Sequence, residues 1–593
     1  MRFLVTAGLL VLLTACAAST SESQTAPLQP EEASGYTDKP GWATQHFAVA
    51  AAHPLATNAG YKILKAGGSA VDAAVAVQMV LSLVEPQSSG IGGGSFLLHH
   101  DGQHNLTEAF DGRETAPAAA NETLFLNTAG KPVGFYEGVV GGRAVGVPGT
   151  VQMLETAQRQ YGKLPWAQLF APAIALAEQG FKVSERLHSL LVSDAHLKKD
   201  PTAAAYFYDT AGQPWPVGHL LKNPELASVF KRIAAEGAKA LMTGGIAQAI
   251  VDKVRQHPTN PGQLALSDLA GYQAIQRQPL CHDYRAVARN YRICGMPPPS
   301  SGAMAVGQIL GLLAHTPAAT LPLMDGLPDA RWLHLYNEAS RLAFADRDQY
   351  IADPGFVQAP GGNWMSLLEP RYLAERARLI GPVRMTTAKA GSPGVVNTSY
   401  APMPEQPEHG TSHISIIDAH GNALAMTSTI ENAFGSRQMV KGFLLNNELT
   451  DFSFTPSDAQ GRPIANRVEP GKRPRSSMAP TLVFDKATGE LLMSGGSPGG
   501  ALIIHYAAKL LYGTLNWELN AQQAINLPNF GNMNGRTLLE QQRFPAATLE
   551  ALKRTGTQVR EVPMTSGLQA IQKTPSGWFG GADPRREGVV QGD

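Results

Sequence analysis

Residues 410–430 constrain the chain more than any other stretch. Gly410-Thr411-Ser412-His413 leads into Ile414, Ile416 and Ile417, then the turn Asp418-Ala419-His420-Gly421-Asn422, then Ala423 to Ile430. Two short apolar runs around an Asp/Gly/Asn turn predict a β-hairpin. A turn centred near His420 sets Thr411 opposite Thr429, and a slip of one residue would undo that facing. Thr411 can simply begin a strand. It gains a second use if the chain is cut ahead of it, because a freed α-amine can act as base for its own side-chain hydroxyl.

The formal net charge is +0, so no basic field argues for a nucleic-acid partner and no acidic tail for a solvating role. Sixty Gly and 42 Pro in a chain that is 44% hydrophobic predict a compact fold with many tight turns. At 593 residues the chain is long enough for two or more domains or subunits.

Met1-Arg2-Phe3, an apolar run to Leu13 and Thr14-Ala15-Cys16 read as a signal peptide over 1–15. The run is too short to span a membrane stably. Leu13-Thr14-Ala15-Cys16 resembles a bacterial lipobox, which would place lipid on Cys16. The other reading is a soluble secreted protein with Cys16 in the discarded peptide. Residues 16–44, rich in Ser, Thr, Ala, Pro, Gln and Glu, read as a disordered tether. The anchored reading predicts a periplasmic protein lipid-anchored to the outer membrane, touching the membrane only through that anchor.

The folded body is expected from residue 45, with a strand at His46 to Ala50 and helices at Leu55 to Lys65 and Ala70 to Leu83, the second capped by Ser69. The glycine run Gly90-Ile91-Gly92-Gly93-Gly94 follows a helix and precedes a strand. That is the wrong order for a dinucleotide loop, and it lacks the P-loop lysine. It reads as close backbone approach within a core sheet, at the wall of a pocket. Residues 150–260 are mostly helical and Ala330 to Tyr350 forms a long helix. Order fades over 384–410, and short strands dominate after Thr411. Cys281 and Cys294 end a predicted hairpin whose turn near Val287-Ala288 would pair them. A disulfide and two packed, reduced cysteines are both open. The chain has no CxxC, HExxH or EF-hand pattern, and no metal or organic cofactor is expected.

Three later runs carry polar groups suited to chemistry: Leu445 to Phe452, with Glu448 and Asp451; Pro470 to Pro480, with Ser476 and Ser477; and Ser494 to Gly500, leading into a helix. Backbone N–H groups at a glycine turn before a helix suit a developing oxyanion. Each run also has a plain reading as a solvated loop, a cap or a tight turn.

Together these runs resemble the γ-glutamyltransferase (glutathione hydrolase) family of N-terminal-nucleophile hydrolases. The resemblance rests on Gly67 to Ala76, Gly90 to Gly94, Pro297 to Gly302, Gly410 to His413, Ser476 to Pro480 and Gly496 to Gly500. It implies an α+β fold, a four-layer αββα sandwich built from a large subunit (45–410) and a small subunit (411–593) that stay together as a heterodimer. The precursor would cut itself between Gly410 and Thr411. Thr411 would be the nucleophile, Thr429 would orient it, and Gly499 and Gly500 would form the oxyanion hole. Arg113, Ser476 and Ser477 would hold the donor's α-carboxylate, and Glu431, Glu448 and Asp451 its α-ammonium. Substrates would be glutathione and other γ-glutamyl compounds, with water, amino acids or dipeptides as acceptors.

Two departures stand out. Glu431 occupies a position where many members carry Asn. The stretch 451–475 lacks the lid Tyr of some members, leaving Phe454 as its candidate aromatic after Phe452. Alternative readings are a related amidase such as a cephalosporin or glutaryl acylase, and a membrane-anchored binding protein without catalysis.

Overall fold

The structure, a computed structural model, describes residues 31–396 and 398–593. Cys16 and the signal segment lie outside the described residues. Two seven-stranded antiparallel sheets form the centre. The first has the order Val589–Gly592, Ala48–Ala51, Ser412–Ile417, Ala423–Thr429, Gly94–Asp101, Leu106–Gly112, Ile275–Arg277. The second runs Trp42–Thr44, Gly577–Ala582, Gln569–Thr574, Leu491–Gly496, Thr481–Asp485, Asn290–Gly295, Leu280–Arg285. Strands from both sides of residue 410 interleave in each sheet, so neither half of the chain could close its core alone.

The four central strands of the first sheet, Ala48–Ala51, Ser412–Ile417, Ala423–Thr429 and Gly94–Asp101, are buried on both faces, while its edges are partly exposed. Val49, Ala51, Ile414, Ile416, Leu424 and Met426 point to one helical layer. Ala48, Ala50, Ala423 and Ala425 share the opposite core with Leu482, Met493 and Ala570 of the second sheet. Helix Ala70–Val84, buried at every position, lies on the first sheet. Its start is doubly fixed: Ser69 and Asp72 form a capping box, and Asp418 of the hairpin turn accepts from the Ala70 N–H at 2.9 Å. Helices Gly302–Ala314 and Ile503–Leu515 cover the second sheet, with Ala330–Tyr350 packed on Gly302–Ala314. The result is the expected four-layer αββα sandwich. Strands Leu280–Arg285 and Asn290–Gly295 place Cys281 opposite Cys294, and the two form a disulfide.

The body begins earlier than the sequence suggested. Residues 31–44, assigned above to a disordered tether, make specific contacts with the body, although most stay exposed or half-buried. Trp42–Thr44 pairs with Gly577–Ala582. The Ser34 N–H donates to the Arg585 carbonyl at 3.0 Å and the Thr37 N–H to that of Pro584 at 2.8 Å. The partner surface comes from the far end of the chain, so local composition gave no sign of it. Among the described residues no helix is long and apolar enough to cross a membrane.

Candidate active site

The hairpin register pairs Ser412 with Ser428, and its next step brings Thr411 level with Thr429. The chain is continuous through Gly410–Thr411, and Thr411 is buried. Gly499 N–H donates to Thr411 Oγ1 at 3.1 Å. Thr429 differs from the expectation. Its hydroxyl donates to the Gly410 carbonyl oxygen at 2.7 Å, rather than to the nucleophile, and accepts from the Glu431 N–H at 2.7 Å. With the Gly410–Thr411 peptide bond intact, the Gly410 carbonyl takes the Thr429 proton.

Glycines make this packing feasible. A Cβ on Gly93 would come within 2.0 Å of the Thr429 carbonyl oxygen, so the run at 90–94 forms the wall behind the hairpin. Gly500, at φ +54°, would strike the Glu408 carbonyl oxygen at 2.0 Å. Residues 408–409 therefore lie directly on the glycine turn that leads into helix Ile503–Leu515. His413 is no competing base. It sits buried between Thr427 and Ser415, and burial lowers its pKa to about 3.

On one side of Thr411 lies an acidic cluster. Arg113, just past strand Leu106–Gly112, is almost fully buried, and its guanidinium grips Glu448 and Asp451. It also donates to the carbonyls of Pro474 (3.1 Å) and Arg475 (2.9 Å). The fork proposed above for a substrate carboxylate is thus committed to protein groups in the continuous chain. Glu431 accepts from the His409 N–H at 3.0 Å, from Asn447 and from Thr450 at 3.3 Å. Glu448 Oε2, Asp451 Oδ1 and both oxygens of Glu114 accept no hydrogen bond, and Glu114 Oε2 has only the Arg113 guanidinium, 3.9 Å away. Burial, reinforced by repulsion from Glu448, raises Glu431 to about 8. Burial likewise raises Glu114, Glu448 and Asp451, although the Arg113 charge opposes each rise. Three buried carboxyls, Glu114, Glu448 and Asp451, surround the Arg113 guanidinium, Glu431 lies beside Glu448, and open acceptor oxygens remain. The cluster is built to receive a cation that can donate hydrogen bonds.

On the other side lies a basic seat, and it is filled. The Glu408 carboxylate accepts from Arg347 and, at 2.6 Å, from the Ser477 hydroxyl; Arg475 stands 3.7 Å away. Arg347 also donates to Ser477 at 2.7 Å. Burial works against ionisation of Glu408, but Arg347 and Arg475 outweigh it and hold its pKa below the usual range. Ser476 is turned differently: its hydroxyl accepts from the Met478 N–H at 3.1 Å. Phe454 stacks on Phe125 at 4.3 Å, so it forms part of a fixed aromatic packet rather than a lid over Thr411.

Glu114, Arg347, Glu408 and Arg475 escaped the sequence reading. Glu114 and Arg475 adjoin residues that were singled out there. Arg347, deep in helix Ala330–Tyr350, carries no local signal. The space left around Thr411 is about 10 Å³, while cavities of about 740 and 570 Å³ lie elsewhere, near His257 and His282. Volume misleads here because residues 408–410 occupy the site. Among the described residues no cluster of His, Cys, Asp and Glu could hold a metal ion.

Comparison with known proteins agrees with this geometry. The sequence model described as Gamma-glutamyltranspeptidase matches residues 56–592. The chain is 36% identical over 560 residues to the glutathione hydrolase proenzyme of Bacillus subtilis (strain 168), covering 92% of this chain and 91% of that one. It is 34% identical over 541 residues to the acylase ACY 1 proenzyme of Pseudomonas sp. (strain V22), covering 89% and 90%. Among solved structures it is similar to the cephalosporin acylase from Bacillus halodurans, with a TM-score of 0.80 and 25% identity over 96% of this chain and 99% of that one. A match over nearly the whole sequence, with the Thr411 hairpin and a glycine turn on its hydroxyl in keeping, places the chain in the gamma-glutamyltranspeptidase family.

Proposed function

We propose that this chain is a precursor that cuts its own Gly410–Thr411 bond and then acts as a γ-glutamyl transferase and glutathione hydrolase. Thr411 Oγ would attack the γ-carbonyl carbon of the donor while the α-amine of Thr411 takes the hydroxyl proton. The oxyanion would receive the N–H groups of Gly499 and Gly500. Collapse would expel the amine leaving group with that proton. Water, an amino acid or a dipeptide would then release the γ-glutamyl group from Thr411.

The observation that carries the choice of donor is the set of unfilled acceptors, Glu448 Oε2 and Asp451 Oδ1, in a site with excess buried carboxyls. A γ-glutamyl head brings an α-ammonium to them, and its α-carboxylate suits the seat of Ser477, Arg347 and Arg475 once Glu408 withdraws. A glutaryl head has no ammonium and would leave the acids unpaired. That second reading is kept in view by the acylase relative and by the acylase of similar fold.

Rates with γ-glutamyl-p-nitroanilide and glutaryl-p-nitroanilide decide between them. A preference for the glutaryl compound overturns the proposal. On a denaturing gel the protein should run as two bands, and Thr411→Ala as one. Cleavage at the same bond in Thr411→Ala would remove Thr411 as the maturation nucleophile. An unbroken wild-type chain would favour the non-catalytic binding reading.

Lipid on Cys16 and a place at the periplasmic face of the outer membrane complete the proposal. Fourteen residues separate Cys16 from Glu31, a reach of at most roughly 50 Å. Cys16→Ala should shift the protein from the membrane fraction to the soluble periplasm, and an unchanged distribution would count against the anchor.

A further inference from the structure

We propose that Glu31 is a positioning residue for the α-amine that cleavage creates on Thr411, so that the segment ahead of the sandwich completes the active site. The inference rests on the function proposed above and adds a residue to it.

Glu31 Oε1 accepts from the Thr411 backbone N–H at 2.9 Å. That nitrogen is the atom that becomes the N-terminal amine. The other oxygen, Oε2, meets Arg186 at 2.6 Å and Arg586 at 3.3 Å. The same two guanidiniums hold Glu85, at 3.0 Å from Arg186 and 3.1 Å from Arg586. Glu85 in turn accepts from the Ser412 hydroxyl at 3.0 Å. Two acids and two guanidiniums thus alternate around Thr411-Ser412, each 4% exposed or less. The segment bearing Glu31 is anchored on its own account. Arg186 donates to the Glu32 carbonyl at 3.1 Å, residues 34 and 37 bond to 584–585, and the Arg543 guanidinium lies 4.5 Å from the Tyr36 ring centroid.

After cleavage, Ser412 to Ile417 still fixes the nitrogen within the sheet. Residues 408–410 leave, and the contacts of Glu31 with Thr411, Arg186 and Arg586 do not run through them. An amine whose N–H points at a fixed carboxylate keeps its lone pair for the hydroxyl of its own residue, as the base role needs. The charges around it set its proton affinity. Glu31 and Glu85 favour the ammonium, and Arg186 and Arg586 favour the neutral amine. Beyond this ring stand His53, 3.9 Å from Glu587, and Glu32 and Tyr506, whose ionisation senses Glu31.

The test measures kcat, KM and the pH profile for γ-glutamyl-p-nitroanilide, using fully cleaved protein. Glu31→Ala should lower kcat by up to about 100-fold with a much smaller change in KM. Glu31→Gln keeps an oxygen acceptor and should recover part of kcat. Its acid limb should move to lower pH, because a charge that stabilised the ammonium is gone. Wild-type kcat together with an unmoved acid limb in both variants overturns the inference. If Glu31→Ala does not accumulate as folded, cleaved protein, the acid limb of Glu31→Gln alone decides, and an unmoved limb overturns it. A wild-type enzyme that hydrolyses only the glutaryl compound would sink the donor assignment instead, and the same comparison is then read on that substrate. A wild type that hydrolyses neither removes both.

Discussion

Thr429 Oγ1 donates to the carbonyl oxygen of Gly410 at 2.7 Å while accepting from the Glu431 N–H at the same distance. The accepted bond fixes which way the hydroxyl proton points, so it is committed to the Gly410 carbonyl. In the proposed self-cleavage, Thr429 would therefore serve as an oxyanion donor for the chain's own peptide.

Loss of that donor should slow self-cleavage. Removing one oxyanion-hole donor typically costs about 10²- to 10³-fold. Thr429→Ala should convert one band to two at least about 100-fold more slowly, and Thr429→Ser should remain close to wild type. A gel time course after rapid dilution from denaturant follows this, and wild-type kinetics in Thr429→Ala would refute the role.

Glutamate binding should release protons. Burial pushes Glu431 up to about 8, so at pH 7 the empty cluster holds at least that proton, and Glu114, Glu448 and Asp451 are raised in the same direction. An ammonium seated among them favours their ionised forms, so its arrival expels protons and affinity rises with pH toward about 8. Titration calorimetry of cleaved protein with L-glutamate, in two buffers of different ionisation enthalpy, should report release of about one proton. Zero release, or uptake, would contradict the picture.

The Glu408 seat should matter to the precursor and not to the cleaved enzyme. Breaking one side of a buried ion pair costs about 3–5 kcal/mol because the partner stays buried and unpaired. In an uncut Thr411→Ala background, Glu408→Gln should therefore lower the melting temperature clearly. Because Arg347 and Arg475 depress the Glu408 pKa, its contribution is fully present above the ordinary value of 4.5 and is lost as pH falls below it. The gap between the two proteins should close over that acid range. A gap that persists at pH 3 would mean the loss is not electrostatic.

The Cys281–Cys294 bond is open to direct reading. Unreduced peptide mapping should find the two cysteines linked. In the chain-entropy account, closing a loop of this length stabilises by about 3 kcal/mol, so the Cys281→Ser/Cys294→Ser pair should unfold at lower denaturant. Free thiols at both positions in protein from an oxidising compartment would show that the bond does not form.

Much of the molecule follows from local sequence. The hairpin was legible because isoleucines flank a turn whose Asp418 satisfies its own backbone, at His420 and Asn422. The turn also sets the register that brings Thr411 level with Thr429. Helix Ala70–Val84 announced itself by its Ser69 cap and its apolar run. The glycines at 90–94 and 499–500 marked close approach because little else tolerates it.

What the sequence could not supply is who meets whom across the sandwich. Glu408 precedes the cut by two residues, yet its partners Arg347 and Arg475 come from a helix in the large portion and a loop in the small one. Arg113 reads as a substrate fork until the fold sets Glu448 and Asp451 against it. Glu31 sits in a stretch whose composition suggests disorder, and it becomes buried because Arg186 and Arg586 converge on it from opposite ends of the chain. Side-chain period, caps and turns are short-range and so are written locally. The pairing of buried charges depends on long-range placement and desolvation, and only the tertiary structure decides it.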